Sequence, residues 1–100
     1  MSIVVHKYGG TSVSTPTRIK NVAANITKSN VHGTQIVVAV SAAGNTTNKL
    51  IALANKISEQ PNPRELDILL STGELASAAI LAIALQNLGT DSISLNGLQA

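Results

Sequence analysis

The sequence predicts an α/β fold, three layers built around a mostly parallel sheet, and three observations carry that reading. Residues 3–7 form a short β-branched run and residues 34–40 an almost wholly apolar one, as expected of strands in a sheet covered on both faces. Between them apolar residues recur at helical spacing, so strand, helix and strand fit into about 38 residues, enough for one right-handed crossover. Both runs end in turns of glycine and small polar residues.

The first strand stops at Gly9-Gly10. Ile19, Val22, Ala23 and Ile26 then mark one face of a helix that follows Pro16 and ends near His32-Gly33. After the second strand, Ser41 to Asn48 is a polar turn. Leu50, Leu53, Ala54 and Ile57 continue as an amphipathic helix up to the break at Gln60-Pro61. Asn62-Pro63-Arg64-Glu65 reads as a helix start, with Asn62 as N-cap, Pro63 in the first turn and Glu65 placed to reach back in a capping box. The helical pattern runs to about Leu88, with a break expected near Thr72-Gly73 and Gly89 just past the end. Ser92 to Leu95 is expected as a third strand and Asn96-Gly97 as the turn after it. One face of that last strand would lack cover, which suggests a truncated α/β domain.

Composition narrows the function classes. One hundred residues hold one small domain or part of a larger one. The apolar 44% is aliphatic, with Tyr8 the only aromatic, so a nucleic-acid module built on stacking is not expected. The absence of cysteine removes disulfide scaffolds, thiolate zinc sites and thiol nucleophiles. His6 and His32 are too few to make a metal site. The N-terminus has too short an apolar stretch for a signal peptide, which gives a cytoplasmic expectation. Leu75 to Leu85 is about half the ~20 residues that cross a bilayer, and it reads as a buried helix with no membrane role.

The net charge of +2 is unevenly spread. Lys7, Arg18, Lys20, Lys28, Lys49 and Lys56 precede every acid, whereas Glu59, Glu65, Asp67, Glu74 and Asp91 follow with only Arg64 among them. That pattern fits an anionic ligand at the N-terminal part, or two parts that attract each other.

Three segments could carry chemistry. Lys7-Tyr8-Gly9-Gly10-Thr11-Ser12 follows the first strand, where glycine amides and a lysine suit phosphate oxygens; a tight strand-to-helix connection is the plainer account. It is neither a P-loop nor the dinucleotide fingerprint. Ser41-Ala42-Ala43-Gly44-Asn45-Thr46-Thr47-Asn48 sits at the same sheet edge and could receive a carboxylate or phosphate, or Thr46 or Thr47 could simply cap the next helix. Ser71-Thr72-Gly73-Glu74 places a carboxylate in an apolar helical region, either meeting a ligand amino group or exposed at a helix break.

Taken together, Lys7 to Val13, Val40 to Leu50 and Pro63 to Glu74 strongly resemble aspartokinases, and Asn96-Gly97-Leu98-Gln99-Ala100 is similar to that family's G-x-Q-A segment. The resemblance runs the length of the chain. It implies an amino-acid-kinase-like fold, of which these residues are the N-terminal portion, and an aspartate kinase, a phosphotransferase with a carboxyl acceptor that converts L-aspartate and ATP to 4-phospho-L-aspartate at the head of lysine, threonine, methionine and diaminopimelate synthesis. By resemblance Lys7 is catalytic; Lys7, Tyr8, Gly9, Gly10 and Ser41 bind ATP phosphates; Asn45, Thr46, Thr47, Asn48, Lys49 and Glu74 bind aspartate. Ala43, Asn48 and Leu75 depart from the common pattern, where a larger residue, an aspartate, and an arginine or glutamine are usual. The resemblance also implies a longer catalytic domain, ACT regulatory domains, homo-oligomerisation and Mg²⁺, with the adenine and metal ligands outside these residues. The other class of reading is a non-catalytic fragment that binds an anion or a partner.

Overall fold

A computed structural model describes residues 2–30 and 34–96 of the chain. Strand β1 (Ser2–Tyr8) passes through a 3-10 turn (Gly10–Val13) into helix α1 (Pro16–Ser29), and β2 (Thr34–Val40) leads into α2 (Thr46–Ile57) and then α3 (Pro63–Asn87). β1 and β2 pair in parallel, from Ser2 opposite Thr34 to Tyr8 opposite Val40. A parallel pair requires a crossover, and α1 supplies it.

Local chemistry sets the helix ends. Thr15 caps α1 by accepting from the Arg18 N–H at 3.2 Å, with Pro16 behind it in the first turn. Asn62 Oδ1 accepts from the Arg64 and Glu65 amides at 3.0 and 3.2 Å, as expected, but Glu65 does not close a capping box: its carboxylate takes Arg64 Nη1 at 2.7 Å. α3 stops in a Schellman arrangement, where Gly89 (φ +80°) donates to the Gln86 carbonyl and Thr90 donates to Leu85, both at 3.0 Å.

The core lies between one sheet face and two helices. Val22, Ala23 and Ile26 of α1 meet Leu81 and Leu85 of α3, and Tyr8, Ile36, Val38 and Val40 close the cluster from the sheet. Alternation along a strand sends the odd-numbered residues to the opposite face. There Ile3, Val5 and Val37 are 67%, 66% and 54% exposed, so among the described residues the sheet is covered on one face, not both. α2 packs along α3 and buries none of its own residues.

Three expectations need correction. Residues 91–96 form no strand: the Ser92 hydroxyl donates to the Ala82 carbonyl at 3.0 Å and Gln86 Nε2 donates to the Ser92 carbonyl at 3.1 Å, which ties the segment to α3 instead of to β2. α3 is not broken at Thr72-Gly73; it runs unbroken for 25 residues. Nor is α3 buried all round. Gly73, Ser77, Leu81, Ala82 and Leu85 are buried, while Ile80 and Ile83 are exposed. It is 25 residues long and contains an 18-residue window of mean hydropathy 2.0, long and apolar enough to cross a membrane, as many core helices are. α1 ends at Ser29 with Asn30 as its C-cap, a few residues before the expected His32-Gly33; those two residues and the turn residue Gly97 lie outside the described residues.

Candidate active site

Because β1 and β2 are parallel and end in register, the loops that leave them emerge at one edge of the sheet. Two backbone hydrogen bonds lock these loops together. The Ser41 N–H donates to the Tyr8 carbonyl at 3.1 Å, and the Gly44 N–H donates to the Gly10 carbonyl at 2.9 Å. Gly44 has φ +51°, a left-handed conformation that side-chain-bearing residues rarely adopt. A Cβ on Gly10 would stand 2.6 Å from the Ala42 carbonyl oxygen, so the first loop meets the second only because Gly10 has none.

The third segment reaches the same point from α3. A Cβ on Gly73 would lie 2.9 Å from Ala42 Cβ and 3.2 Å from Thr46 Cγ2. Ala42 is buried, with one loop glycine on one side and a helical glycine on the other. The segments around Gly10, Ala42–Gly44 and Gly73 are therefore a single contiguous construction.

The side chains are distributed around it as follows. Lys7 is exposed on the open face of the sheet, opposite Ala39 in register. Tyr8 contributes its carbonyl to the loop contact, whereas its ring lies against the core and sits edge-to-face to His6, centroids 6.1 Å apart. Gly9 precedes the 3-10 turn and its carbonyl accepts from the Ser12 amide at 3.1 Å. Asn45 occupies the N-cap position of α2 without a side-chain capping bond, so neither Thr46 nor Thr47 caps the helix; both lie inside its first turn. Thr46 turns its methyl toward Gly73, while Thr47, Asn48 and Lys49 are exposed. Glu74 is exposed on the unbroken helix and lines, with Ser71, Ala39 and Asn96, an open groove of about 700 Å³ beside the end of β2.

Among the described residues the one ion pair is Arg64–Glu65, so no ion pair joins the basic first part of the chain to the acidic remainder. No three His, Cys, Asp or Glu side chains among them come together as a metal site.

Sequence reasoning missed Ala42 and the role of Gly73. A glycine inside a helical pattern that carries on past it is the available signal of a close approach.

These features define a class: an α/β unit whose two strand-end loops are fused through glycines and buttressed by a helix. The chain belongs to the amino acid kinase family, whose family model matches residues 2–100. It is 50% identical over 99 residues to an aspartate kinase of Stutzerimonas stutzeri and 48% identical over 99 residues to an aspartokinase of Pseudomonas aeruginosa, covering 99% of this chain and 24% of each relative. The chain thus spans about a quarter of the length of these curated relatives. A crystal structure of aspartate kinase from Synechocystis superposes with a TM-score of 0.93 at 48% identity, over 97% of this chain and 17% of that one. An amino-acid-kinase fold, with its α/β architecture and parallel strands, is established on this ground.

Proposed function

We propose that these residues form the N-terminal part of an aspartate kinase catalytic domain, cytoplasmic, with L-aspartate and ATP as substrates. An oxygen of the aspartate side-chain carboxylate attacks the γ-phosphorus of ATP, the bond from that phosphorus to the β,γ-bridging oxygen breaks, and ADP leaves with the electron pair. The products are 4-phospho-L-aspartate and ADP.

In phosphoryl transfer the protein positions the reactants and stabilises spreading charge. Lys7 neutralises charge on the transferring group, the Gly9 and Gly10 amides and Ser41 face the phosphates, Asn45 to Lys49 line the aspartate site, and Glu74 meets the substrate ammonium. Mg²⁺, when bound, would supply positive charge that offsets the phosphates; among the described residues no three His, Asp or Glu side chains come together to hold it.

The observation that carries this reading is the fusion of the three segments at Ala42–Gly44, which brings the lysine-glycine turn, the Asn45–Lys49 turn and the Glu74 helix into one construction. A chimera tests it: residues 2–100 replace the matching segment of the Pseudomonas aeruginosa aspartokinase, and acyl phosphate is trapped as the hydroxamate. The chimera should turn over. Lys7→Ala should lower kcat by on the order of 10²-fold with a smaller effect on aspartate binding, because its charge matters most where phosphoryl charge develops. An inactive chimera, or an unchanged kcat with only weaker ATP binding, would count against these roles.

A further inference from the structure

We propose that Gly73 is a positioning residue for the aspartate site, setting the separation between Glu74 on α3 and the Asn45–Lys49 turn; the inference rests on the function proposed above.

Gly73 has no conformational reason to be glycine. It lies inside α3, and the described glycines with positive φ are Gly44 and Gly89 alone. Alanine is intrinsically favoured over glycine in a helix interior, so propensity argues against the residue found there. What remains is space: a Cβ at 73 would come 2.9 Å from Ala42 Cβ and 3.2 Å from Thr46 Cγ2.

Close packing on Gly10 and a hydrogen bond to it resist a retreat of the loop from such a methyl group. On its far side the Ala42 carbonyl oxygen lies 2.6 Å from where a Gly10 Cβ would be, and the Gly44 amide is held to the Gly10 carbonyl at 2.9 Å. The loop from Ser41 to Thr46 is thus pinned between Gly10 and Gly73. An added methyl must push α3 outward, carrying Glu74, or tilt the start of α2, carrying Asn45 to Lys49. Both displacements change the separation between Glu74 and the Asn45–Lys49 turn, the two parts proposed to hold the two ends of aspartate. Lys7 and Gly9 are not among the nearest atoms that a Gly73 Cβ would meet. Gly73 touches no substrate in this scheme; it acts through the distance it permits.

The test uses the chimera with the Pseudomonas aeruginosa enzyme and its Gly73→Ala variant, read by separate KM values for aspartate and ATP. A misplacement of this kind should raise KM for aspartate by on the order of tenfold or more, while KM for ATP stays within about twofold. Adding Ala42→Gly deletes the methyl at 2.9 Å and should bring the aspartate KM most of the way back, which ties the change to this contact, while the steady KM for ATP separates it from a general loss of stability. If Gly73→Ala alone does not fold, the Gly73→Ala, Ala42→Gly pair carries the test: a folded pair with near-parental aspartate KM supports the inference. Parental kinetics in Gly73→Ala, equal rises in both KM values, or a pair no better than the single variant would overturn it. An unsubstituted chimera without activity fails at the earlier step, overturning the functional reading itself.

Discussion

Gly10 and Ser77 make opposite predictions about single atoms. Gly10 sits where an added Cβ would approach a backbone carbonyl oxygen to 2.6 Å and the Gly44 amide to 3.3 Å, and backbone atoms cannot swing aside as a side-chain tip can. Gly10→Ala should therefore destabilise the fold by about 1–3 kcal/mol, as overpacking does, read as a lower midpoint in urea unfolding. An unchanged midpoint would mean the two loops separate without penalty. Ser77 is 5% exposed on the buried face of α3, and its hydroxyl has no hydrogen-bond partner among the described residues. Removing a buried polar group that bonds to nothing removes a desolvation cost, and alanine also favours the helix. Ser77→Ala should be neutral or stabilising by up to about 1 kcal/mol. A clear loss of stability would show that the hydroxyl has found a partner.

The elements differ in how far residue order alone determines them. β2 is legible to the residue, 34–40, because its apolar run is bounded by turn chemistry on both sides. The start of α3 is legible through Asn62 and Pro63, and its end through Gly89, since caps are local devices. Asn62→Ala should weaken the fold by about 1 kcal/mol through loss of the acceptor for two amides, whereas Asn62→Asp or Ser should retain most of it; equal unfolding midpoints for all three would remove the cap from the account. What was not legible depends on distant partners. Residues 92–95 have strand-like composition, but a strand exists only with a neighbour to pair with, and Ser92 is bound to α3 instead. Gly73 looked like a break because the contact that explains it comes from Ala42, 31 positions away in sequence. For the site, topology placed the first two loops at one sheet edge in advance. Their fusion through Gly10 and Gly44 joins residues far apart in the chain, which no local pattern encodes.

At the scale of the whole molecule, shape and surface argue together. The radius of gyration is 15.3 Å, above the ~13 Å usual for a compact domain of this length, and the longest extent is 52 Å. An elongated chain of this size leaves apolar surface uncovered: Ile3, Val5 and Val37 on the open sheet face, with Ile57 and Ile93 elsewhere. The 100 residues on their own should accordingly self-associate at micromolar concentration, giving early elution in size exclusion and dye binding to exposed apolar surface. A clean monomer with a sharp two-state transition would contradict this. The same surface bears on activity. Phosphoryl transfer needs a nucleotide site, a metal bridging phosphate oxygens and several cations around the transferring group. Of these, the described residues supply Lys7 beside the glycine turn, they bring no three potential metal ligands together, and Glu74 already has a role toward the substrate ammonium in the proposed scheme. Incubated with ATP and aspartate, the 100 residues alone should give no hydroxamate-trappable acyl phosphate above a Lys7→Ala control, while the chimera gives it readily. Lys7-dependent turnover by the isolated residues would mean that self-association assembles the remaining parts of the site from further copies of the same surface, and a loss of that turnover on dilution would identify the oligomer as the active species.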